Sequence, residues 1–407
     1  MAESDVASGS SPDAQYADLQ TAGAVRQRAH ELLQAARRDE LEHFRLNEGR
    51  LPEVAERVIA VTKRSYPDLG AIPYHGRYRH FDAGGVPRLA RFLAQASGDA
   101  DERLRTATEL VITSVLLDAG AGPTWSYRET DGRSYARSEG LAVASYHLFM
   151  SGGLSSRGRP EADAVGLERF DAARLASAFQ VSTDNPLIGL EGRAQLLARL
   201  GQVVHTTPGY FDDGSRLGAL GVWLRRSAVA ARLAAPSVLA AVLGALGPIW
   251  PGRERLAGKP LGDVWRHSRF GLVPFHKLSQ WLSYSLLEPL EAAGVTITEL
   301  GELTGLPEYR NGGLFLDAGV LLLRDQRANE RAHEVGSDLV IEWRALTVAL
   351  LDLLAGQVRE KLGLSPSELP LARVLEGGSW SAGRAIAREL RPDGGPPLRV
   401  VSDGTVF

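Results

Sequence analysis

The sequence predicts a mostly α-helical protein with few short strands, and three observations predict it. Apolar residues recur at helical spacing through most of the chain. Strand-like alternation is confined to pieces such as GVTITEL and LFLDAGVLLL. The connections AGAGPTWSYRE, GPIWPGR, KPLGDVWRHS and LPEYRNGG are rich in Gly, Pro and Trp, which suits rigid loops carrying polar side chains.

Taken in order, residues 1–20 (MAESDVASGSSPDAQYADLQ) are small, polar and mildly acidic, and read as a disordered N-terminal tail. They lack the basic and apolar regions of a signal peptide. In GAVRQRAHELLQAARRDEL, Val25, Ala29, Leu32, Leu33 and Ala36 share one helical face. DERLRTATELVITSVLLDAG repeats the pattern with Leu104, Ala107, Val111 and Leu117, and Gly120 reads as its C-cap. SQWLSYSLLEPLEAAG and GSDLVIEWRALTVALLDLLAGQVREKL are further amphipathic helices, the second with Ser337 as N-cap. Residues 152–165 read as a surface excursion, and 391–407 as a C-terminal tail. No repeat or long linker appears, so 21–390 forms one large helical domain with room for two lobes.

Composition excludes several classes. Hydrophobic residues make up 44% and charged residues 23% of the 407, the balance of a globular protein. A net charge of −3 gives no electrostatic footprint for nucleic acid or an anionic membrane. Cysteine is absent, which removes disulfides, thiolate nucleophiles and iron–sulfur clusters. No apolar run reaches the length of a membrane span, and a cytoplasmic location is expected. Phosphate-loop, dinucleotide-binding and serine-elbow motifs are missing. His75 and His80 in YHGRYRH are interrupted by Gly76, so one helical face cannot present both to a metal.

Polar clusters beside aromatics remain. IPYHGRYRHFDAGG carries Arg77 and Arg79, suited to a phosphate or carboxylate, or to an ordinary basic loop. FQVSTDNPLIG places Asp184 and Asn185 before Pro186, where a turn or helix cap explains them equally well. In LVPFHKLSQWLSYSLLEPLEAAG, His276 and Lys277 begin a helix, where the dipole opposes a cation unless an anion or carboxylate answers it. LTGLPEYRNGGLFLDAGVL sets Glu308, Tyr309, Arg310 and Asn311 at the mouth of an apolar segment, a set that offers stacking, acid–base chemistry and anion recognition.

These last two stretches, with TSVLLDAGAGPTWSYRE, FQVSTDNPLIGLEGRAQLL, LGPIWPGR and HEVGSDLVIEWRALTVALLD, strongly resemble the uracil-catabolism protein family of bacteria and fungi, from about residue 21 to 360. FHKLSQ and LPEYRNGGLFLDAGVL also resemble, more distantly, segments of the queuosine-salvage N-glycosidases, helical enzymes akin to DNA glycosylases. Glu308 stands where those enzymes carry aspartate.

The resemblance implies a hydrolase that cleaves the N-ribosidic bond of a ribosylurea-type nucleoside 5′-phosphate, releasing urea and ribose 5-phosphate. Glu308 is then the catalytic carboxylate, with Lys277 orienting it or meeting the leaving group. Asp184 and Asp263 are the reserve carboxylates, and Asp184 with Asn185 holds ribose hydroxyls or the ureido group. Tyr309 and Trp265 supply apolar walls, His276 and Asn311 are further substrate-binding residues, and Arg77, Arg79 and Arg310 take the 5′-phosphate, with Arg344 as a distant fourth. The expected ligand is a nucleotide or ribosyl phosphate, with a pathway enzyme as partner and no cofactor, metal, nucleic acid or membrane. The alternatives are a non-catalytic nucleotide-binding partner of the ring-opening enzyme, and a ureido hydrolase or deaminase.

Overall fold

The computed structural model describes residues 11–211, 215–250 and 253–401. Residues 1–10 of the expected N-terminal tail lie outside that range, but its second half is ordered. Ser11 accepts the Ala14 N–H at 3.2 Å and Pro12 takes the first helical position, so helix α1 (Pro12–Leu19) forms and buries Leu19. That apolar anchor is why these residues do not remain a tail.

Ten further helices of eight residues or more matter below: α2 (Ala22–Arg37), α3 (Leu51–Ser65), α4 (Ala100–Leu116), α5 (Arg137–Met150), α6 (Leu190–Thr206), α7 (Ala235–Leu246), α8 (Lys277–Ala292), α9 (Tyr309–Asp317), α10 (Asp338–Leu362) and α11 (Trp380–Leu390). Three of them are not the amphipathic surface helices that the spacing predicts. Residues 107–117 across α4, 278–287 in α8 and 339–351 in α10 are buried without interruption. A helix buried on all sides lies at the centre, wrapped by others. Accordingly α10 packs against α2, α3 and α9, while α8 packs against α4 and α7. One apolar cluster runs from Ala22 to Leu398.

Among the described residues the strands are short, as expected, and pair in twos. Thr296–Thr298 pairs in parallel with Arg232–Ala234, and Leu321–Leu323 antiparallel with Phe44–Leu46. The preceding LFLD is helical instead, because Glu308 caps α9 and α9 packs against α10 and α11. Ser337 is the N-cap of α10, although its hydroxyl bonds back to Glu334 O. The C-cap of α4 is Leu117 rather than Gly120, because a buried arginine from α6 captures the carbonyls that follow.

The expected C-terminal tail is largely built into the body. Arg391 forks onto Asp317 (2.7 Å for one arm), and Arg399–Val401 adds in parallel to Ala332–Glu334. Among the described residues, no helix is long and apolar enough to cross a membrane.

Candidate functional site

The two stretches that carry Lys277 and Glu308 are locked together by one buried residue between them. Gln280 of α8 accepts the Thr304 N–H at 2.9 Å and donates to Thr304 Oγ1 at 2.6 Å, while Tyr284 donates to Thr304 O at 3.0 Å. This bolts the loop before α9 onto the side of α8. Asn311 continues the bracing: it donates to Leu306 O at 3.2 Å and accepts from Ser379 at 2.9 Å. Gly312 lets α9 close on α10, since a Cβ there would sit 2.8 Å from the Trp343 indole. Asn311 is thus a brace behind the site.

In front of this brace opens a cavity of about 1090 Å³, lined by Lys277, Glu308, Tyr309, Asp118, Arg137, Ser138, His75, His80, Trp281 and Trp380, and closed on another side by residues 395–400. Whereas α11 continues the helical run 371–379, the starts of three helices, α5, α8 and α9, border it. Each brings the positive end of a dipole, so the cavity favours an anionic ligand.

Glu308 is the N-cap of α9. Its Oε1 accepts the Asn311 N–H at 2.6 Å and its Oε2 the Arg310 N–H at 2.8 Å. Burial raises its carboxyl above the ordinary value, against the pull of those two N–H groups, of the Arg310 guanidinium and of Lys277. Burial and then the Arg344 charge lower the Lys277 ammonium; Glu308, Asp263 and Asp118 act the other way. These carboxylates answer a cation at the start of α8, the question that its position in the sequence raised.

Asp118 is a site residue that sequence reasoning missed. It receives Ser138 Oγ at 2.5 Å and the buried Arg77 guanidinium at 3.0 Å. The loop that carries it is held by Arg193, which donates to the carbonyls of Leu117, Ala119 and Gly120, the last at 2.8 Å. A signal was present: an aspartate just past a helix C-terminus is opposed by the dipole, so something must answer it. Two cavity residues also carry buried polar atoms without a protein partner, His80 Nδ1 and Trp281 Nε1. Such atoms are uncommon in folded proteins and mark places where a ligand or water completes the bonding. Burial, then the Arg77 charge, pushes His80 down to about 4, against Asp118, Glu139 and Glu376.

Of the expected site residues, Lys277, Glu308 and Tyr309 come together in the cavity, and the others lie elsewhere. Asp184 is exposed in a turn, and Asn185 is occupied by the backbone of Ser126 and Gln180. Both are explained by the turn, as the bland reading of that motif had it. Asp263 is buried beneath α8, gripped by Arg344 at 2.8 and 2.7 Å and bonded to Trp265 Nε1 at 2.7 Å and the Lys277 N–H at 3.0 Å. Burial would raise it, but Arg344 holds it below its usual range. Asp263, Trp265 and Arg344 therefore support the start of α8 from behind. His276, at φ 47°, donates to Leu19 O at 2.7 Å and borders a separate cavity of about 250 Å³.

Neither Arg77 nor Arg79 lines the large cavity: Arg77 is engaged with Asp118 and Ser114, Arg79 with Glu288 at 2.9 Å. Arg310 lies behind the aromatic wall, 4.9 Å from the Tyr309 ring centre and 5.7 Å from that of Trp380. Arg137 is the arginine at a helix start on the cavity, with one arm on Asp393 O at 2.8 Å.

The chain is similar to Protein urg3 of Schizosaccharomyces pombe, 41% identical over 405 residues covering 94% of this chain and 96% of that one. It is also similar to Uracil catabolism protein 4 of Lachancea kluyveri, 39% identical over 407 residues covering 90% and 92%. Residues 18–407 match the family described as "Protein of unknown function (DUF1688)", and the chain belongs to that family.

Proposed function

We propose that this protein acts in uracil catabolism as an N-ribosyl hydrolase, releasing urea and ribose 5-phosphate from a ribosylurea 5′-phosphate. The observation that carries the proposal is the meeting of Glu308, Lys277 and Tyr309 in one cavity bordered by three helix starts. The pathway is supported by the likeness to Uracil catabolism protein 4 over most of both chains.

Breaking the bond at C1′ develops positive charge on the sugar, which a carboxylate stabilises best from close by. Glu308 keeps each carboxylate oxygen on a backbone N–H and so presents a fixed geometry to the cavity. It stabilises the cationic sugar and takes a proton from the attacking water. Lys277 favours the charged form of Glu308, against the burial that raises its carboxyl, and is assigned to orienting it. Trp281 and Tyr309 wall the sugar, and Trp281 Nε1 and His80 Nδ1 offer bonding positions for a hydroxyl or carbonyl. The phosphate is assigned to Arg137 and the start of α5, which has no side-chain cap.

The test is incubation of purified protein with ribosylurea 5′-phosphate, following urea and ribose 5-phosphate. Wild-type turnover with loss of at least about a hundredfold in Glu308→Gln supports the proposal. Tight binding of the intact compound without turnover favours instead a carrier of the pathway intermediate.

A further inference from the structure

Sugar–nitrogen cleavage needs a proton for the leaving nitrogen, and neither Glu308 nor Lys277 is placed above as its donor. The same cavity is reached by a second acid–base constellation. His75 lines the cavity, and its Nδ1 meets Glu376 Oε2 at 2.8 Å. The other carboxylate oxygen of Glu376 accepts the Tyr66 hydroxyl at 3.1 Å. Glu376 lies in a one-turn π-helical segment, Leu375–Ser379, an irregularity that often marks functional positions. The His75 N–H donates to Ala372 O at 3.1 Å and so ties the histidine to the turn just before that segment. Burial would raise the Glu376 carboxyl, but His75, His80 and Tyr66 hold it below its usual range, so it stands ionised.

A carboxylate on Nδ1 fixes the ring's orientation and tautomer and balances a positive charge on the imidazole. The opposite nitrogen, Nε2, has no hydrogen-bond partner among the described residues. We propose that His75 is the general acid of the reaction assigned above, donating from Nε2 to the departing ureido nitrogen, with Glu376 and Tyr66 as its positioning residues; this rests on the glycosidase reading. As the C1′–N bond breaks, its electron pair passes to nitrogen, which takes the proton from His75, and urea leaves neutral. Water forms the new C1′–O bond and gives a proton to Glu308. Glu308 then releases that proton and His75 takes one from solvent, restoring both.

The experiment compares two substrates in the full-length protein: ribosylurea 5′-phosphate and 4-nitrophenyl ribofuranoside 5-phosphate, whose leaving group departs without a proton. His75→Gln is expected to lose about a hundredfold or more in kcat on the first. Its loss on the second is expected to be at least tenfold smaller, whereas Glu308→Gln loses comparably on both. Glu376→Gln and Tyr66→Phe should show the same substrate-selective loss to a lesser degree. Melting temperatures accompany every variant, and if His75→Gln unfolds, the selectivity of Tyr66→Phe decides. Equal losses on both substrates, or none, overturn the general-acid role while leaving the glycosidase in place. A wild type inactive on both compounds overturns the glycosidase reading and this proposal with it.

Discussion

At Glu308 the carboxylate that caps α9 also faces the cavity, and the two settings pull its proton affinity in opposite directions. Capping N–H groups favour the charged form, burial the neutral one, and burial prevails. Lys277 is lowered in the same cavity. The kcat/KM profile against pH should therefore be a narrowed bell, with its acid limb above 4.5 and its alkaline limb below 10.5, the ordinary values of the two groups. Glu308→Gln should lower kcat/KM about a hundredfold or more, and the residual activity should lack the acid limb. Asp184→Ala tests the opposite case. Exposed and outside the cavity, it should leave turnover unchanged and shift stability by no more than about 0.5 kcal/mol in urea unfolding. Position in the sequence suggested Asp184 and Glu308 alike, since both lie in Pro-punctuated polar turns. Only their burial separates them.

The elements around the site act as a frame. Gln280 does not itself line the cavity, yet it joins α8, which carries Lys277, to the loop that carries Glu308. Gln280→Leu should lower kcat about tenfold or more with a smaller change in substrate affinity, because small displacements of reacting groups are costly. Stopped-flow binding beside steady-state turnover would separate the two effects. Asp263 braces the same helix from below. Asp263→Asn leaves Arg344 buried with a weakened answer to its charge, and should destabilise the fold by about 3–5 kcal/mol in denaturant titration. The strings FHKLSQ and LPEYR could be recognised as related stretches from their residues. The bolt between them could not, because Gln280 and Thr304 look like ordinary helix and loop residues until the chain is folded.

At the scale of the molecule, three helices with long stretches buried on all sides form the centre behind the cavity. His80 packs edge-on against Trp281 of α8 and Trp380 of α11, with a folded value near 4 against an ordinary 6.5. Its value is depressed on folding, so the unfolded chain binds the proton first as pH falls. The contribution of His80 to stability is then present above about 6.5 and lost on the way down to about 4. Melting temperature should fall across that interval, and His80→Phe should flatten the fall. The C-terminal stretch is a second whole-molecule feature, because residues 391–400 close one side of the cavity and Arg391 pairs with Asp317 of α9. Removing residues 391–407 should weaken ligand binding sharply in calorimetry and lower the melting temperature.

The sequence by itself determined the helical class, the start of α8 and the chemistry-bearing strings around Lys277 and Glu308, because helical spacing and turn residues are local properties. It also carried the family likeness, which resides in the strings themselves. By contrast α9, read from the sequence as a turn followed by strand-like residues, took its helical form from the Glu308 cap and its packing on α10 and α11. Only the tertiary structure decided which charged groups face the cavity. Asp118, His75 and Arg137 face it, whereas Asp263, Arg77 and Arg344 are paired behind its walls. Charge pairing joins residues as far apart in the chain as Asp263 and Arg344, and burial depends on every helix packed around them; neither is written in local spacing.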